Sequence, residues 1–499
     1  MSEEVGRAAL DLEGLLEQVG WRIVEEAKDD TTGLVVQGRC DCWPGMLGSC
    51  SIHSVARRLR AMRCVVSTAR ARGRMVKRSG GEGSAAGGQA RTVALAEEFG
   101  AQLQRMGGAG AKIAQLLSMV QLERTPEGEA PARPLGSLRE EQEPLAWRRV
   151  RGVIEQDLDA RVQDVFVAFD EQPFAIASLG QVHRARTREG EQVAVKVQRP
   201  DIGDTIAGDL RNLGLVSPIL QRLAPGSDAR ALLSEVRECI ADDLDYEIEA
   251  QHQRLLARLF RGHPHIRVPL VHTDLSTRRV LVTQLVDGLR FAEIARLDQA
   301  ERDRIGETVF RFFFGLVWRE RIVAGDPHPD NCILCADGRV CVLDFALQRG
   351  IDREYLEGER DVMRAVVDAD PDAVQLALAR LGYLGEGESY DPVALLEHLA
   401  TAGEWFLAQG FRKIDPGYVR RTLELGYPPR SPWFSVMQRL TLPPPTLLLR
   451  RMEVQMLSLL GALRAGGDWA AIAAEHWAGE PPSTELGRED AAFFERRGK

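Results

Sequence analysis

The most constraining feature of the chain is a short polar loop near residue 330 and the pattern that follows it. The loop reads Gly325-Asp326-Pro327-His328-Pro329-Asp330-Asn331, which places an aspartate and an asparagine five residues apart after a helical pattern. Asp344 follows Asn331 by thirteen residues, within Val342-Leu343-Asp344-Phe345-Ala346. Residues 332–341 between them alternate as strand, Asp-Gly turn and strand, which predicts a β-hairpin. A helix, a loop and a hairpin are therefore expected to hold three polar side chains together.

These residue types in this order match the catalytic loop of phosphotransfer proteins. An aspartate at the first position orients the attacking hydroxyl or water, or accepts its proton, while the asparagine and the later aspartate hold magnesium. We therefore predict Asp326 as the catalytic-loop aspartate, and Asn331 and Asp344 as ligands of Mg²⁺ beside ATP or ADP. The alternative is an ordinary loop rich in turn-forming residues, which the order of the three residues disfavours.

A lysine lies inside an upstream strand pattern, Val193-Ala194-Val195-Lys196-Val197. Such a strand presents its lysine to nucleotide phosphates in kinases, but it needs a carboxylate partner on a later helix. We predict Glu249 as that partner. Asp245 precedes Glu249 by four residues, so one helix face is expected to carry both.

The segment that precedes Lys196 has no G-x-G-x-x-G loop, and residues 173–185 read PFAIASLGQVHRA instead. This segment resembles the UbiB/ADCK (AarF-type) atypical kinase family, whose nucleotide loop is rich in alanine and is followed by a Gly-Gln-Val-His-like strand. Lys112-Ile113-Ala114-Gln115 resembles the K-x-G-Q motif of that family, and Asp243-Leu244-Asp245 resembles its E-x-D motif. The ordered matches cover about residues 95–350 and make the resemblance specific.

The resemblance implies roles for further residues. The expected nucleotide contacts are Ala175, Ile176, Ala177, Ser178, Lys196 and Glu249. Lys112 and Gln115 are three residues apart on a predicted helix and are expected to act with Asp326 and Lys196 in catalysis. They would lie over the active site and meet the acids Asp243 and Asp245. In the family this extension is thought to block access of a protein substrate, which implies ATPase or small-molecule chemistry.

Six positions depart from the family pattern; among them, Ile176 replaces an alanine of the nucleotide loop and Asp243 replaces the glutamate of E-x-D. Ala114 replaces the glycine of K-x-G-Q, Ala324 replaces a histidine before Asp326, and Ala346 replaces the glycine of D-F-G. Because alanine resists positive φ, Ala324 and Ala346 are expected to alter the loop backbone and to slow or abolish turnover. Asp330 replaces a glycine and is expected to point to solvent.

Strand patterns followed by nearly continuous helical patterns predict an α+β, two-lobed protein-kinase-like fold with a helical N-terminal extension and a mostly helical C-lobe. The predicted units are an accessory region with a flexible linker (1–90), the helical extension (91–165), the N-lobe (166–288), the C-lobe with the catalytic loop (289–470) and a C-terminal tail (471–499).

Composition and charge limit the classes of partner and the cellular location that we expect. The net charge of −9 over 499 residues argues against a nucleic-acid partner. No apolar run is long enough to span a bilayer, and the acidic N-terminus lacks a signal sequence, so we expect a cytoplasmic protein without a transmembrane helix. The arginine-rich residues 56–78 leave open peripheral contact with the inner face of the membrane.

Three functions compete at this point. The leading one is a Mg-ATP-dependent enzyme that acts on a small-molecule or isoprenoid-lipid substrate and, by family resemblance, supports ubiquinone or related quinone biosynthesis. The second is a small-molecule kinase of the aminoglycoside-phosphotransferase type, whose Gly-Asp-x-His-Pro-x-Asn loop is similar; the alanine-rich loop argues against it. The third is a catalytically inactive nucleotide-binding scaffold.

Overall fold

The computed structural model describes residues 21–29, 33–40, 50–51 and 144–498, apart from residues 178, 212–216, 218–220, 222–225, 386 and 427–430. The chain divides into two compact units, one of residues 1–114 and 203–222, the other of residues 115–202 and 223–499. The first unit contains an antiparallel sheet of β1 (Trp21–Asp29), β2 (Gly33–Cys40) and β3 (Cys50–Ser51).

The second unit begins with a strand-rich lobe. Its helices and strands run in the order α1 (Trp147–Leu158), α2 (Val162–Val165), β4 (Phe166–Phe169), β5 (Ala175–Ile176), β6 (Gly180–Thr187) and β7 (Gln192–Gln198). Helix α3 (Ile202–Arg211) follows in the chain, and its residues from 203 onward belong to the first unit. The second unit resumes with α4 (Ala229–Asp243), α5 (Tyr246–Leu259), β8 (Ile266–Arg267), β9 (Val280–Gln284) and β10 (Gly288–Arg290). Strands β6 and β7 form a hairpin and pair antiparallel from Gly180–Gln198 to Arg186–Gln192.

The sheet of this lobe has the order β4-β6-β7-β9, and β5 adds to the end of β6. Alternate residues of β7, namely Val193, Val195 and Val197, are fully buried, as the two-residue period of a strand requires. They pack against Val150, Val153 and Ile154 of α1. Lys196 therefore projects from the opposite face of β7, away from this core.

The helical pattern of residues 228–258 is broken into α4 and α5 at Leu244 and Asp245. Asp245 has extended backbone angles (φ −118°, ψ 100°), and its carboxylate accepts a hydrogen bond from the Glu247 amide at 3.0 Å. The prediction that Asp245 and Glu249 share one helix face is therefore wrong. The Asp245 side chain satisfies an amide that the first turn of α5 leaves unpaired, so it lies before the helix.

The second lobe is mostly helical. It runs α6 (Phe291–Ile294), α7 (Gln299–Gly315), a π-helical turn (Leu316–Glu320), β11 (Ile322–Ala324), β12 (Cys332–Cys335), β13 (Val340–Val342) and β14 (Gln348–Gly350). The remaining elements are α8 (Arg353–Val367), α9 (Pro371–Arg380), α10 (Pro392–Ala402), α11 (Glu404–Leu407), β15 (Arg412–Lys413), α12 (Pro416–Gly426), α13 (Phe434–Met437), α14 (Leu447–Leu463), β16 (Gly466–Gly467), α15 (Trp469–Trp477) and α16 (Glu485–Glu495). The predicted two-lobed α+β architecture is confirmed.

Helix α7 forms the centre of the helical lobe and is buried on nearly every side over its second half. Arg311 lies in this apolar stretch and is 2% exposed. Its guanidinium donates to Glu307 Oε1 at 2.8 Å and to Glu475 Oε1 at 3.0 Å, so the buried charge is compensated. Within the described ranges, no helix combines the length and apolar character needed to cross a membrane.

Candidate functional site

Strand β7 and helix α5 bring Lys196 and Glu249 together. Lys196 Nζ lies 2.9 Å from Glu249 Oε1 and 2.8 Å from Oε2, and the Glu249 side chain is 3% exposed. The ammonium also lies 4.8 Å from the centre of the Tyr246 ring, which adds a cation–π contact. The structure thus brings together the two residues that the strand and helix motifs predicted as partners.

Burial dominates the electrostatics of this pair. It raises the pKa of Glu249 to about 7; Lys196 opposes this shift, and the charge of Asp344 adds to it. Burial acts to lower the pKa of Lys196, but Glu249, Tyr246 and Asp344 together outweigh it, so that pKa lies well above its usual value. The charge of Asp344, which follows the hairpin of the helical lobe, acts on the pKa of both Lys196 and Glu249. The ammonium stays charged and can bind phosphate.

The predicted nucleotide loop is a tight hairpin between β5 and β6. Ala175 and Ile176 pair with Val182 and Gln181, and the Ala177 amide donates to the Gly180 carbonyl at 3.0 Å. A Cβ atom added to Gly180 would lie 2.0 Å from the Val197 carbonyl oxygen, so only glycine allows β6 to approach β7 here. The loop is consequently fixed beside Lys196.

The catalytic loop and the hairpin place Asn331 next to Asp344. Strands β12 and β13 pair antiparallel from Cys332–Val342 to Leu334–Val340. The Leu343 amide donates to the Asn331 carbonyl at 3.0 Å. Because Leu343 directly precedes Asp344, the two predicted magnesium ligands leave the same end of the hairpin. His328 caps the short turn before Asn331 by accepting the Asp330 amide at 3.2 Å.

Amide and carboxylate oxygens of this kind fit Mg²⁺, which binds proteins through one or two carboxylates and completes its shell with water and phosphate oxygens. No group of three or more His, Cys, Asp and Glu side chains that could hold a metal by themselves occurs in the part of the chain that the structure describes. A magnesium ion held by Asn331 and Asp344 would complete its shell with water and phosphate oxygens.

The departures from the family pattern leave the loop backbone ordinary. Ala324 lies in β11 opposite Gln348, and Ala346 donates its amide to Asp344 Oδ1 at 3.1 Å. Neither alanine has a positive φ, and the expected effect of the two substitutions on turnover stays a prediction. The Asp330 side chain is 51% exposed, in keeping with its expected orientation toward solvent.

The sequence did not point to Arg451 as a partner of the catalytic-loop aspartate. Arg451 lies in α14, and its Nη2 donates to Asp326 Oδ1 at 2.5 Å. The arginine side chain is 3% exposed and that of Asp326 19% exposed. This ion pair fixes the Asp326 carboxylate in one orientation. The only available signal was an arginine pair, Arg450-Arg451, inside an apolar helix.

The acids expected to meet the extension lie close to each other in the chain. Asp243 is the buried last residue of α4, and Asp245 caps α5 with Arg278 Nε at 3.8 Å. Lys112, Gln115 and Ser178 fall outside the described residues, so their contacts remain predictions.

Comparison with known proteins agrees with this geometry. The profile of the ABC1 atypical kinase-like domain matches residues 137–378. The chloroplastic protein named Activity of BC1 complex kinase 8 of Arabidopsis thaliana is 32% identical over 50% of this chain and 34% of its own length. The mitochondrial atypical kinase COQ8B of Rattus norvegicus is 29% identical over 67% of this chain and 63% of its own length. The chain thus spans less than two thirds of either relative.

A solved structure is also similar. It is the complex of Rv3197 with erythromycin from Mycobacterium tuberculosis, which has a TM-score of 0.56 and 26% identity and covers 68% of this chain and 85% of that protein. The strand-rich lobe, the Lys196–Glu249 pair, the Asn331–Asp344 hairpin and the first part of the helical lobe lie within the matched residues, whereas the elements from α10 onward follow them. Residues 137–378 therefore match the ABC1 atypical kinase-like domain, in agreement with the resemblance of the chain to the UbiB/ADCK atypical kinase family.

Proposed function

We propose that this protein binds Mg-ATP or Mg-ADP between its lobes and uses it as an ATPase or as a kinase of a small molecule. The observation that carries the proposal is the buried Lys196–Glu249 pair, with the lysine held 2.8 Å from its partner and within the electrostatic influence of Asp344. Burial of an ammonium costs free energy unless a partner compensates its charge, as Glu249 does here. The N–H groups of Lys196 that do not bond to Glu249 can bind phosphate oxygens.

The roles of the remaining residues follow from their positions. Lys196 would bind the phosphates, and the hairpin turn at residues 175–180 would cover them. Asn331 and Asp344 would hold Mg²⁺, which neutralises the developing negative charge during phosphoryl transfer. Asp326, fixed by Arg451, would orient the attacking hydroxyl or water.

The proposed substrate is a small or isoprenoid-lipid molecule, and the proposed process is quinone or related lipid metabolism. A specific observation supports a second candidate, because the similar mycobacterial protein was solved with erythromycin. A macrolide or a similar antibiotic is therefore a reasonable alternative ligand for the same cleft. An inactive nucleotide-binding scaffold is the third candidate.

The first test is thermal unfolding of the whole chain without nucleotide, with Mg-ADP and with Mg-ATP. At a nucleotide concentration of about a hundred times Kd, binding should stabilise the native state by roughly 2.7 kcal/mol. At roughly 2–4 °C per kcal/mol, the midpoint should rise by about 5–10 °C. Asp344→Asn should remove the magnesium-dependent part of this rise.

The matched control is Asp337→Asn in the turn of the same hairpin. Asp337 is about half exposed and pairs with Arg339 at 2.6 Å, away from the end that carries Asn331. This variant should keep the full nucleotide response. Phosphate release separates the enzyme from the inactive scaffold, and added erythromycin or a quinone precursor separates the two substrate classes. No nucleotide response in the wild type would refute the proposal.

A further inference from the structure

A second recess lies in the helical lobe, between the π-helical turn and the beginning of α8. Its volume is about 380 Å³, which is within the range of pockets that bind small ligands. Four arginines line it, namely Arg319, Arg321, Arg353 and Arg360. Trp318 and Leu356 form its apolar wall, and Glu357 adds one carboxylate to the lining. The lining thus combines strong positive charge with a flat aromatic surface.

Only part of this charge is compensated by carboxylates. Arg319 Nη2 lies 3.0 Å from Asp490 Oδ2, and Arg353 Nε lies 2.9 Å from Glu357 Oε1. The Arg360 guanidinium donates to the neutral carbonyl of Trp477 at 2.7 Å. In the described part of the chain, neither Arg321 nor Arg360 has a carboxylate within ion-pair distance. Two guanidinium charges are therefore available to an anion.

The backbone at the recess is unusual as well. Arg321 ends the π-helical turn with φ 56° and ψ 40°, a left-handed conformation that residues other than glycine and asparagine rarely adopt. π-Helical turns and strained residues of this type are frequent at functional sites.

We propose that this recess is a binding site for a phosphomonoester with a flat or apolar body. Guanidinium groups bind phosphate through two parallel N–H···O bonds, which suits Arg321 and Arg360. The half-buried Trp318 ring, with the Arg360 guanidinium carbon 5.7 Å from its centre, offers a surface on which a planar group can stack. Lys196, Asn331 and Asp344 are not among the residues that line the recess, and the proposed ligand is distinct from the nucleotide.

The test is a titration of the full chain with phenyl phosphate and with inorganic phosphate, in the presence of saturating Mg-ADP and in its absence. Binding is measured by calorimetry and by quenching of tryptophan fluorescence. Phenyl phosphate should bind more tightly than inorganic phosphate, and Trp318→Phe should remove most of the quenching. Because none of the variants changes the nucleotide cleft, the titration can be interpreted even if nucleotide does not bind.

The decisive variant combines Arg321→Asn, which tolerates the left-handed backbone, with Arg360→Gln, which can still donate to Trp477. Loss of charge-assisted bonds should weaken phenyl phosphate binding by roughly tenfold or more. Arg420→Gln removes an exposed arginine outside the recess and should leave binding unchanged. Equal affinity in the double variant and the wild type, with both proteins folded by circular dichroism, would overturn the proposal.

A further arm separates two sources of the phosphate. Vesicles of phosphatidylcholine that contain phosphatidic acid present a phosphomonoester on a lipid. The site would be assigned to a lipid headgroup if these vesicles retain the wild type but not the double variant, and if phenyl phosphate does not bind. A response to phenyl phosphate alone would assign it to a soluble ligand, and no binding in either arm would overturn the proposal.

Discussion

Replacing Arg451 with methionine should reduce turnover more than folding, and the neighbouring Arg450 provides a matched comparison. Both arginines lie in α14 and both pair with acids, but the acids differ. Arg451 bonds to Asp326, whose side chain is 19% exposed, so water can partly replace the lost guanidinium. Arg450 bonds to Glu453 at 2.8 Å and also to Glu359, and these side chains are 4% and 2% exposed.

The magnitudes follow from this difference in burial. Loss of one charge-assisted bond to a partly hydrated acid should cost about 1.5 kcal/mol. Removal of one member of a buried ion-pair network leaves uncompensated charge and should cost about 4 kcal/mol. At roughly 2–4 °C per kcal/mol, Arg451→Met should lower the unfolding midpoint by about 3–6 °C, and Arg450→Met by about 8–16 °C.

The assay is thermal unfolding of both variants with and without Mg-ADP, together with phosphate release. Arg451→Met should keep the nucleotide-induced stabilisation, because Lys196 and Asp344 are unchanged, while phosphate release falls with the loss of Asp326 orientation. Arg450→Lys, which keeps a charge, serves if Arg450→Met does not fold. Equal midpoints for the two methionine variants would refute the burial argument, and unchanged turnover in Arg451→Met would refute its positioning role.

Two further predictions concern stability. Gly180→Ala should destabilise the protein by about 2 kcal/mol or more and weaken nucleotide binding, because its Cβ would lie 2.0 Å from the Val197 carbonyl oxygen. The control is Gly152→Ala in α1, where a Cβ meets nothing within 4 Å. In thermal unfolding, this control variant should be as stable as the wild type or more stable. Burial lowers the pKa of His398 to about 4. Between pH 6.5 and 4 the folded state therefore binds fewer protons than the unfolded state. The free energy of unfolding should fall by up to about 3 kcal/mol as the pH is lowered through that window. His398→Gln should flatten this fall in urea titrations at pH 4.5 and pH 7, and a fall of wild-type size in the variant would contradict the assignment.

Residues that act through local motifs could be placed from the sequence. Lys196 and Glu249 are separated by 53 positions, yet each lies in a strand or helix with its own pattern, and the fold brings them to 2.8 Å. The proximity of Asn331 and Asp344 was predictable for the same reason. The Asp-Gly turn at residues 337–338 sets the register in which β12 pairs with β13, and the two residues lie at the ends of this hairpin.

Other features depend on contacts that no local pattern contains. Arg451 is 125 positions from Asp326, and Arg450 beside it has the same residue type with different partners. The break at Asp245 was obscured because both flanking segments continue the helical period. The conformations of Ala324 and Ala346 depend on strand β11 and on a bond to the Asp344 carboxylate, neither of which alanine alone indicates.

Strand β10 has a mechanical consequence for the cleft. The chain leaves the strand-rich lobe through residues 285–287 and at once pairs Gly288, Leu289 and Arg290 with Cys335, Leu334 and Ile333 of β12. Gly288 lies so close that a Cβ would be 2.3 Å from the Leu334 carbonyl oxygen. Because β12 directly follows Asn331, a change in the angle between the lobes would also displace Asn331, one of the two proposed magnesium ligands. Substitutions that stiffen residues 285–287 should therefore change the dissociation rate of Mg-nucleotide without touching it.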